Sequence, residues 1–147
     1  MIQLPPDFCD LLQELNRANV EYLLVGGYAV AYHGYVRTTN DIDIWIALHP
    51  SNAQAVKQAL RSFGVPEYLL SNISFLDPNE IFYIGVHPLR VEVFTDIPGV
   101  TFAQCYTQRV ETIIQGIRVP IIDLTSLKRN KQASGRPKDI NDLQNLP

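Results

Sequence analysis

Asp41 and Asp43 stand two residues apart in the segment NDIDIWI. If that segment is a β-strand, both carboxylates leave the same face, about 7 Å apart along the backbone. Like charges so placed repel, and the arrangement calls for a positive partner. A hard divalent cation such as Mg²⁺ meets that need, because it takes one or two carboxylates together with water and phosphate oxygens. The plainer reading is a sheet face on which both aspartates meet water, and a lone Asp-x-Asp favours that reading.

The surroundings of the pair shift the balance. Gly27 lies fourteen residues before Asp41, in LLVGGYAV, where a strand turns into a helix. Glycines there let the backbone approach a phosphate, and a helix start offers free N–H groups. Gly26 and Gly27 serve a merely tight turn equally well. Glu92 interrupts the apolar run LRVEVF, and a charge in so apolar a strand needs a reason. If its strand lies beside that of Asp41, three carboxylates converge. Arg37, Thr38 and Thr39 precede the pair. Arginine suits bidentate phosphate contact, and a surface loop is the alternative.

Other candidates are weaker. Trp45 shares the aspartate face and either stacks on a base or caps the sheet. Asp96 is expected to begin the turn at Ile97-Pro98-Gly99. His33, His49 and His87 show no ligand spacing and read as turn or loop residues. Asp139 and Asp142 are expected in the first turns of the last helix, where carboxylates favour the dipole.

These groups need elements to position them. Pro5 to Asn19 reads as an amphipathic helix, with Phe8, Leu11, Leu12 and Leu15 at helical spacing. A short strand follows at Tyr22 to Val25, then an alanine-rich helix from Tyr28 to Tyr35. Asp41 to Ala47 alternates as a strand does, with Ile42, Ile44 and Ile46 opposite the aspartates. Ser51 to Phe63 reads as a helix with Ser51 as N-cap and Gly64 at its end. Ile81 to Val86 and Leu89 to Phe94 are strands separated by His87-Pro88, and a hairpin spans Arg109 to Ile122 around Gly116. Thr125 to Ala133 and Pro137 to Leu146 read as closing helices broken at Gly135. The expected fold is α/β (α+β): a single mixed β-sheet flanked by helices, in one domain over 1–147 with 125–147 as closing helices.

Hydrophobic residues make up 46% and charged residues 18% of the 147 residues, so a core can form and disorder is excluded. The longest apolar runs are far short of the ~20 residues that span a bilayer. The start, MIQLPPDFCD, lacks the basic and apolar regions of a secretory signal. Cys9 and Cys105 show no metal or redox spacing, which suits free thiols in the cytoplasm. Residues 1–127 carry seven Lys/Arg and thirteen Asp/Glu (−6), whereas 128–147 carry five and two (+3). Positive charge is thus gathered between Lys128 and Lys138, where a solvated helix face is the common outcome.

Together, VGGYAVAYHGYVRTTNDIDI, the later acid Glu92 and the closing LKRNKQASGRPKDINDL resemble the polymerase-beta-like nucleotidyltransferase superfamily, over about Val25 to Leu143. The glycine turn is particularly similar to small bacterial nucleotidyltransferases related to AbiEii toxins. The resemblance implies that Asp41, Asp43 and Glu92 are catalytic and bind metal, two Mg²⁺ with Mn²⁺ as an alternative. Glutamate is a departure, because the family's third acid is often aspartate. Gly26 and Gly27 would shape the phosphate-binding turn, with Arg37, Thr39, Lys131 and Arg136 as further nucleotide contacts; surface solubility is the other reading of Lys131 and Arg136. The implied reaction moves a nucleoside monophosphate from an NTP such as ATP to a hydroxyl of RNA, protein or a small molecule. It allows a toxin–antitoxin role with a cognate partner and no membrane. The alternative is a non-catalytic nucleotide- or partner-binding module on the same fold.

Overall fold

A computed structural model describes residues 2–86 and 89–147. The His87-Pro88 turn expected between two strands lies outside the described residues. The described residues form six strands and seven helices: α1 (Pro6–Arg17), β1 (Tyr22–Val25), α2 (Gly26–Tyr32), β2 (Asp41–Ile46), α3 (Pro50–Phe63), α4 (Glu67–Leu70), β3 (Ile81–Val86), β4 (Leu89–Phe94), α5 (Phe102–Thr107), β5 (Val110–Ile114), β6 (Ile117–Ile121), α6 (Leu124–Ser134) and α7 (Pro137–Asn145). The strands form one mixed sheet in the order β3-β4-β2-β1-β6-β5. The α/β expectation therefore holds, and the strands and long helices fall where periodicity places them. The short helices α4 and α5 are additions, because four to six residues carry too few turns to show a period.

β1 and β2 pair antiparallel, and β2 pairs parallel with β4. These central strands are apolar on the side away from the aspartates, where Ile42, Ile44 and Ile46 are fully buried with Tyr22 and Leu24. The amphipathic α1 turns Phe8, Leu11, Leu12 and Leu15 inward. Beside it, α3 contributes Val56, Ala59 and Leu60. Its N-cap is His49 rather than Ser51: Pro50 occupies the first helical position, and the His49 ring accepts from the Asn52 N–H. Pro suits that position because its missing N–H is not needed there.

The aspartate face is covered over only part of its length. Trp45, two residues beyond Asp43, is 1% exposed and packs edge-to-face on Phe102 of α5, with ring centroids 5.2 Å apart. It caps the sheet and is shielded from any base in the cleft. The turn after β4 closes the same side. Gly99 adopts φ +82°, and a Cβ there would stand 2.6 Å from Ala133 Cβ, so the turn sits flat on α6. The side chain of Asn130 in α6 donates to the Pro98 carbonyl at 2.9 Å. What stays open is the stretch of sheet that carries Asp41 and Asp43.

Among the described residues no helix is long and apolar enough to cross a membrane. Cys9 and Cys105 are free thiols.

Replacing Trp45 by alanine removes the largest buried side chain on the covered half of this face. The substitution is expected to lower stability by about 3–5 kcal/mol, measured as a shift in the urea unfolding midpoint at unchanged slope.

Candidate active site

Strand register decides what the carboxylates can do together. In the β2–β4 ladder Asp41 pairs with Arg90, Ile42 with Val91, and Asp43 with Glu92. Parallel neighbours in register point the same way, so Asp43 and Glu92 stand side by side on the face that also carries Asp41. The three acids that sequence spacing singled out are thereby brought together. They form a graded row: the Asp41 side chain is 36% exposed and that of Glu92 14%.

Asp43 is held in place by the glycine turn. A Cβ at Gly26 would lie 1.9 Å from Asp43 Oδ2, and Gly26 adopts φ +69°. Both facts exclude any other residue, since L side chains seldom tolerate that φ. The absent side chain of Gly27 makes room for Thr39, whose Oγ1 would stand 2.6 Å from a Cβ there. Thr39 Oγ1 donates to the Asp41 carbonyl at 3.3 Å. The two glycines thus shape the room in which Asp43 and Thr39 sit, a role that spacing alone did not show.

Burial pushes the Asp43 carboxyl well above the ordinary aspartate range. The neighbouring Glu92 carboxylate and the Asp41 charge push it the same way, and Lys131 partly opposes them. Arg90, two residues before Glu92 on β4 and opposite Asp41 in the ladder, reaches across the row. Its Nη2 lies 2.8 Å from Glu92 Oε1 and 3.5 Å from Asp41 Oδ2, and its guanidinium sits 5.1 Å from the centre of the Tyr83 ring. Sequence reading missed Arg90. The signal was the basic residue two before Glu92 in LRVEVF, which alternation sends to the same face.

With Arg90 on Asp41 and Glu92, no three His, Cys, Asp or Glu side chains among the described residues stand in metal-holding geometry. The donor set nonetheless suits a hard divalent cation. Three carboxylates converge, one is cradled by a glycine, and their mutual repulsion is only partly met by one exposed arginine.

The opposite wall of the cleft is basic. The cavity, about 690 Å³, is lined by the three acids, Gly26, Gly27, Arg37, Thr39, Lys131, Arg136 and Lys138, with Tyr83, Phe94 and Asp96 beyond Glu92. The nine residues that the resemblance implies therefore border one cleft, whereas Thr38 and Trp45 do not line it. Lys131 departs from the solvated-face reading, whereas Arg136 stays 58% exposed while it pairs. Lys131 is buried between Asp139 (3.2 Å) and Asp142 (3.1 Å), and Arg136 pairs with Asp139 at 2.7 Å. Arg37 grips Asp142 through Nε (2.7 Å) and Nη2 (2.9 Å). Asp139 does cap α7, accepting from the Arg136 N–H at 3.2 Å. Yet both aspartates are fully buried partners of cations, and the expectation that they serve only the helix dipole is corrected. Asp96 sits in the turn, as expected, on the cleft rim. His33 closes α2 with its Nε2 2.7 Å from the Ile122 carbonyl.

An acid row fed by adjacent parallel strands, a glycine turn beneath it and a basic wall opposite give this fold the outline of a nucleotidyltransferase. The model of the aminoglycoside-2″-adenylyltransferase family matches residues 7–146, and the chain belongs to that family. No curated protein matches it. Among solved structures it is similar to a protein from Thermotoga maritima described as a candidate nucleotidyltransferase (TM-score 0.63, 15% identity, 97% of this chain and 93% of that one). It is also similar to an antigenic nucleotidyltransferase-like protein from Paracoccidioides brasiliensis (0.55, 20%, 92% and 71%). A third is ANT(2″)-Ia in complex with adenylyl-2″-tobramycin (0.55, 13%, 93% and 83%). At these identities the likeness is one of fold.

The raised Asp43 carboxyl has a consequence for stability. A carboxyl that holds its proton more tightly in the folded state loses stability as pH rises from its ordinary value through its folded one. Asp43→Asn removes that liability. The variant is expected to melt higher than the parent at pH 7, with the gain vanishing below the ordinary aspartate value, where Asp43 is protonated folded and unfolded alike. Thermal unfolding followed from pH 3 to pH 8 measures it.

Proposed function

We propose that this chain transfers a nucleoside monophosphate from an NTP to an acceptor hydroxyl, using a divalent metal held by Asp41, Asp43 and Glu92. One observation carries the reading: Asp43 and Glu92 are locked in register on adjacent strands, with Asp41 on the same face, opposite a cationic wall. In this reading the triphosphate lies between the acids and Arg37, Lys131 and Arg136, over Gly26, Gly27 and Thr39. Asp41, Asp43 and Glu92 would hold two Mg²⁺, or Mn²⁺ in their place, which would supply charge neutralisation at the α-phosphorus. The residues do the rest. Arg90 leaves Glu92 as the acids take up their ligand, and its guanidinium becomes free for phosphate or acceptor. Glu92 receives the acceptor hydroxyl proton. The new O–P bond forms in line with the α–β bond that breaks, and pyrophosphate leaves with that bond's electron pair.

For the acceptor, family membership supports a small hydroxyl-bearing molecule. Beyond Glu92 the cleft is lined by Asn79, Ile81, Tyr83, Phe94 and Asp96. Arg90 apart, that side offers little charge for an RNA backbone, which binds through basic surfaces. An RNA or protein acceptor within a toxin–antitoxin pair is the reading that the resemblance to AbiEii-type proteins supports. The non-catalytic binding module is favoured by a different observation, the Arg90 pairs to Glu92 and Asp41, which already balance part of the acid row.

Incubation with α-labelled NTPs and Mg²⁺, offered a panel of aminoglycosides, total RNA and total cell protein, separates these. Transfer is expected to one acceptor class, to stop with EDTA, and to fall at least about a hundredfold in Asp41→Asn and in Asp43→Asn. NTP binding without label on any acceptor would point to the binding module. Full transfer by Asp43→Asn would sink the assigned site.

A further inference from the structure

The cations of the cleft wall are not free side chains. They are mounted on two carboxylates with almost no exposure, Asp139 at 0% and Asp142 at 1%. Asp142 takes Nε and Nη2 of Arg37 and one donor of Lys131. Asp139 takes a second donor of Lys131 and, through Nε and Nη2, the fork of Arg136. Burial works against both carboxylate charges, yet these bonds and cations outweigh it and hold both carboxyls below the ordinary aspartate range. Such burial is costly, and apolar residues often close a core as well or better. Stability alone is therefore a poor reason for the network.

Donor arithmetic supplies another. A guanidinium has five N–H donors and an ammonium three. Asp142 engages one edge of Arg37 and leaves Nη1, which lies 3.3 Å from where a Gly27 Cβ would stand; one of its two N–H groups donates to the Thr38 carbonyl at 3.3 Å and the other stays free of Asp142. That places it at the mouth of the glycine turn. Lys131 keeps one donor beyond its two aspartates, and Arg136 keeps Nη1. All three residues border the same cleft as the acids. Three cations on two carboxylates leave one net positive charge fixed toward it.

We propose that Asp139 and Asp142 are positioning residues that aim Arg37, Lys131 and Arg136 at the phosphates of the nucleotide. This rests on the nucleotide reading given above. Pre-aimed donors bind an anion without first losing side-chain freedom, so the aspartates act through the cations and touch no substrate.

The test is calorimetric titration of tripolyphosphate, and of each of the four NTPs with Mg²⁺, into the full chain and its variants, alongside thermal unfolding. Tripolyphosphate isolates the phosphate contacts from base and sugar. Asp142→Asn and Arg37→Lys are each expected to weaken binding about tenfold or more, the worth of a charge-assisted bond. Arg37→Lys keeps the charge but loses the fork. The Arg37→Ala, Asp142→Asn pair is expected to lose less than the product of its single losses, because both break one device. If Asp142→Asn fails to fold, Arg37→Lys decides, since Arg37 is 24% exposed. Parent-like binding by Arg37→Lys, or single losses that multiply in the double variant, overturns the proposal and leaves the nucleotide reading standing. A parent chain that binds neither tripolyphosphate nor any NTP overturns both.

Discussion

Two parallel strands in fixed register force Asp43 and Glu92 against each other, and much of the surrounding structure answers that repulsion. Neither carboxylate can turn away, since strand alternation fixes its face and the ladder its height. Gly26 gives Asp43 room, Lys131 supplies a favourable field from the opposite wall, and Arg90 spans Glu92 and Asp41. A site strained in this way is destabilised where it will bind, which is a common relation between function and stability. The rest of the fold absorbs that cost through an apolar core on the far face of the sheet.

The cleft has two kinds of positive charge, and they differ in how they are held. Arg90 is half exposed and stacked on Tyr83, on a strand next to the sheet edge. It can let go of its partners at little cost, as exposed pairs do. Arg37 (24% exposed) and Lys131 (5%) are bound to buried aspartates and cannot, while Arg136, itself 58% exposed, is tied to Asp139 by its fork. A mobile cation on the acids and fixed cations on the wall suit a site that must exchange one set of charges for another when a ligand enters.

The chemistry was more legible in the sequence than the architecture that serves it. Asp41, Asp43 and Glu92 stand out because carboxylates in apolar strands are costly without purpose, and Gly26-Gly27 because few residues make so tight a turn. That Glu92 pairs with Asp43 was not readable, since register comes from long-range pairing and not from local pattern. Trp45 shares the alternation of the aspartates, yet α5, too short to show a period, covers it. Asp139 and Asp142 looked like helix-start carboxylates because their partners Arg37 and Lys131 come from distant segments. Arg136, only three residues from Asp139, looked like solvated charge because its side chain is 58% exposed even while it pairs. His49 displaced Ser51 as the helix cap because Pro50 moves the start by two residues.

The central claim is that the acid row, with Arg90 displaced from it, holds metal against a nucleotide's phosphates. It is tested most directly by diffraction from crystals soaked with MnCl₂ and each α,β-methylene nucleoside triphosphate, which cannot lose its pyrophosphate. Anomalous density is expected beside Asp41, Asp43 and Glu92, with the phosphates lying toward Arg37, Lys131 and Arg136 and Arg90 moved off Glu92. A nucleotide bound elsewhere, or manganese absent from the acids while Arg90 keeps its pairs to Glu92 and Asp41, would contradict it.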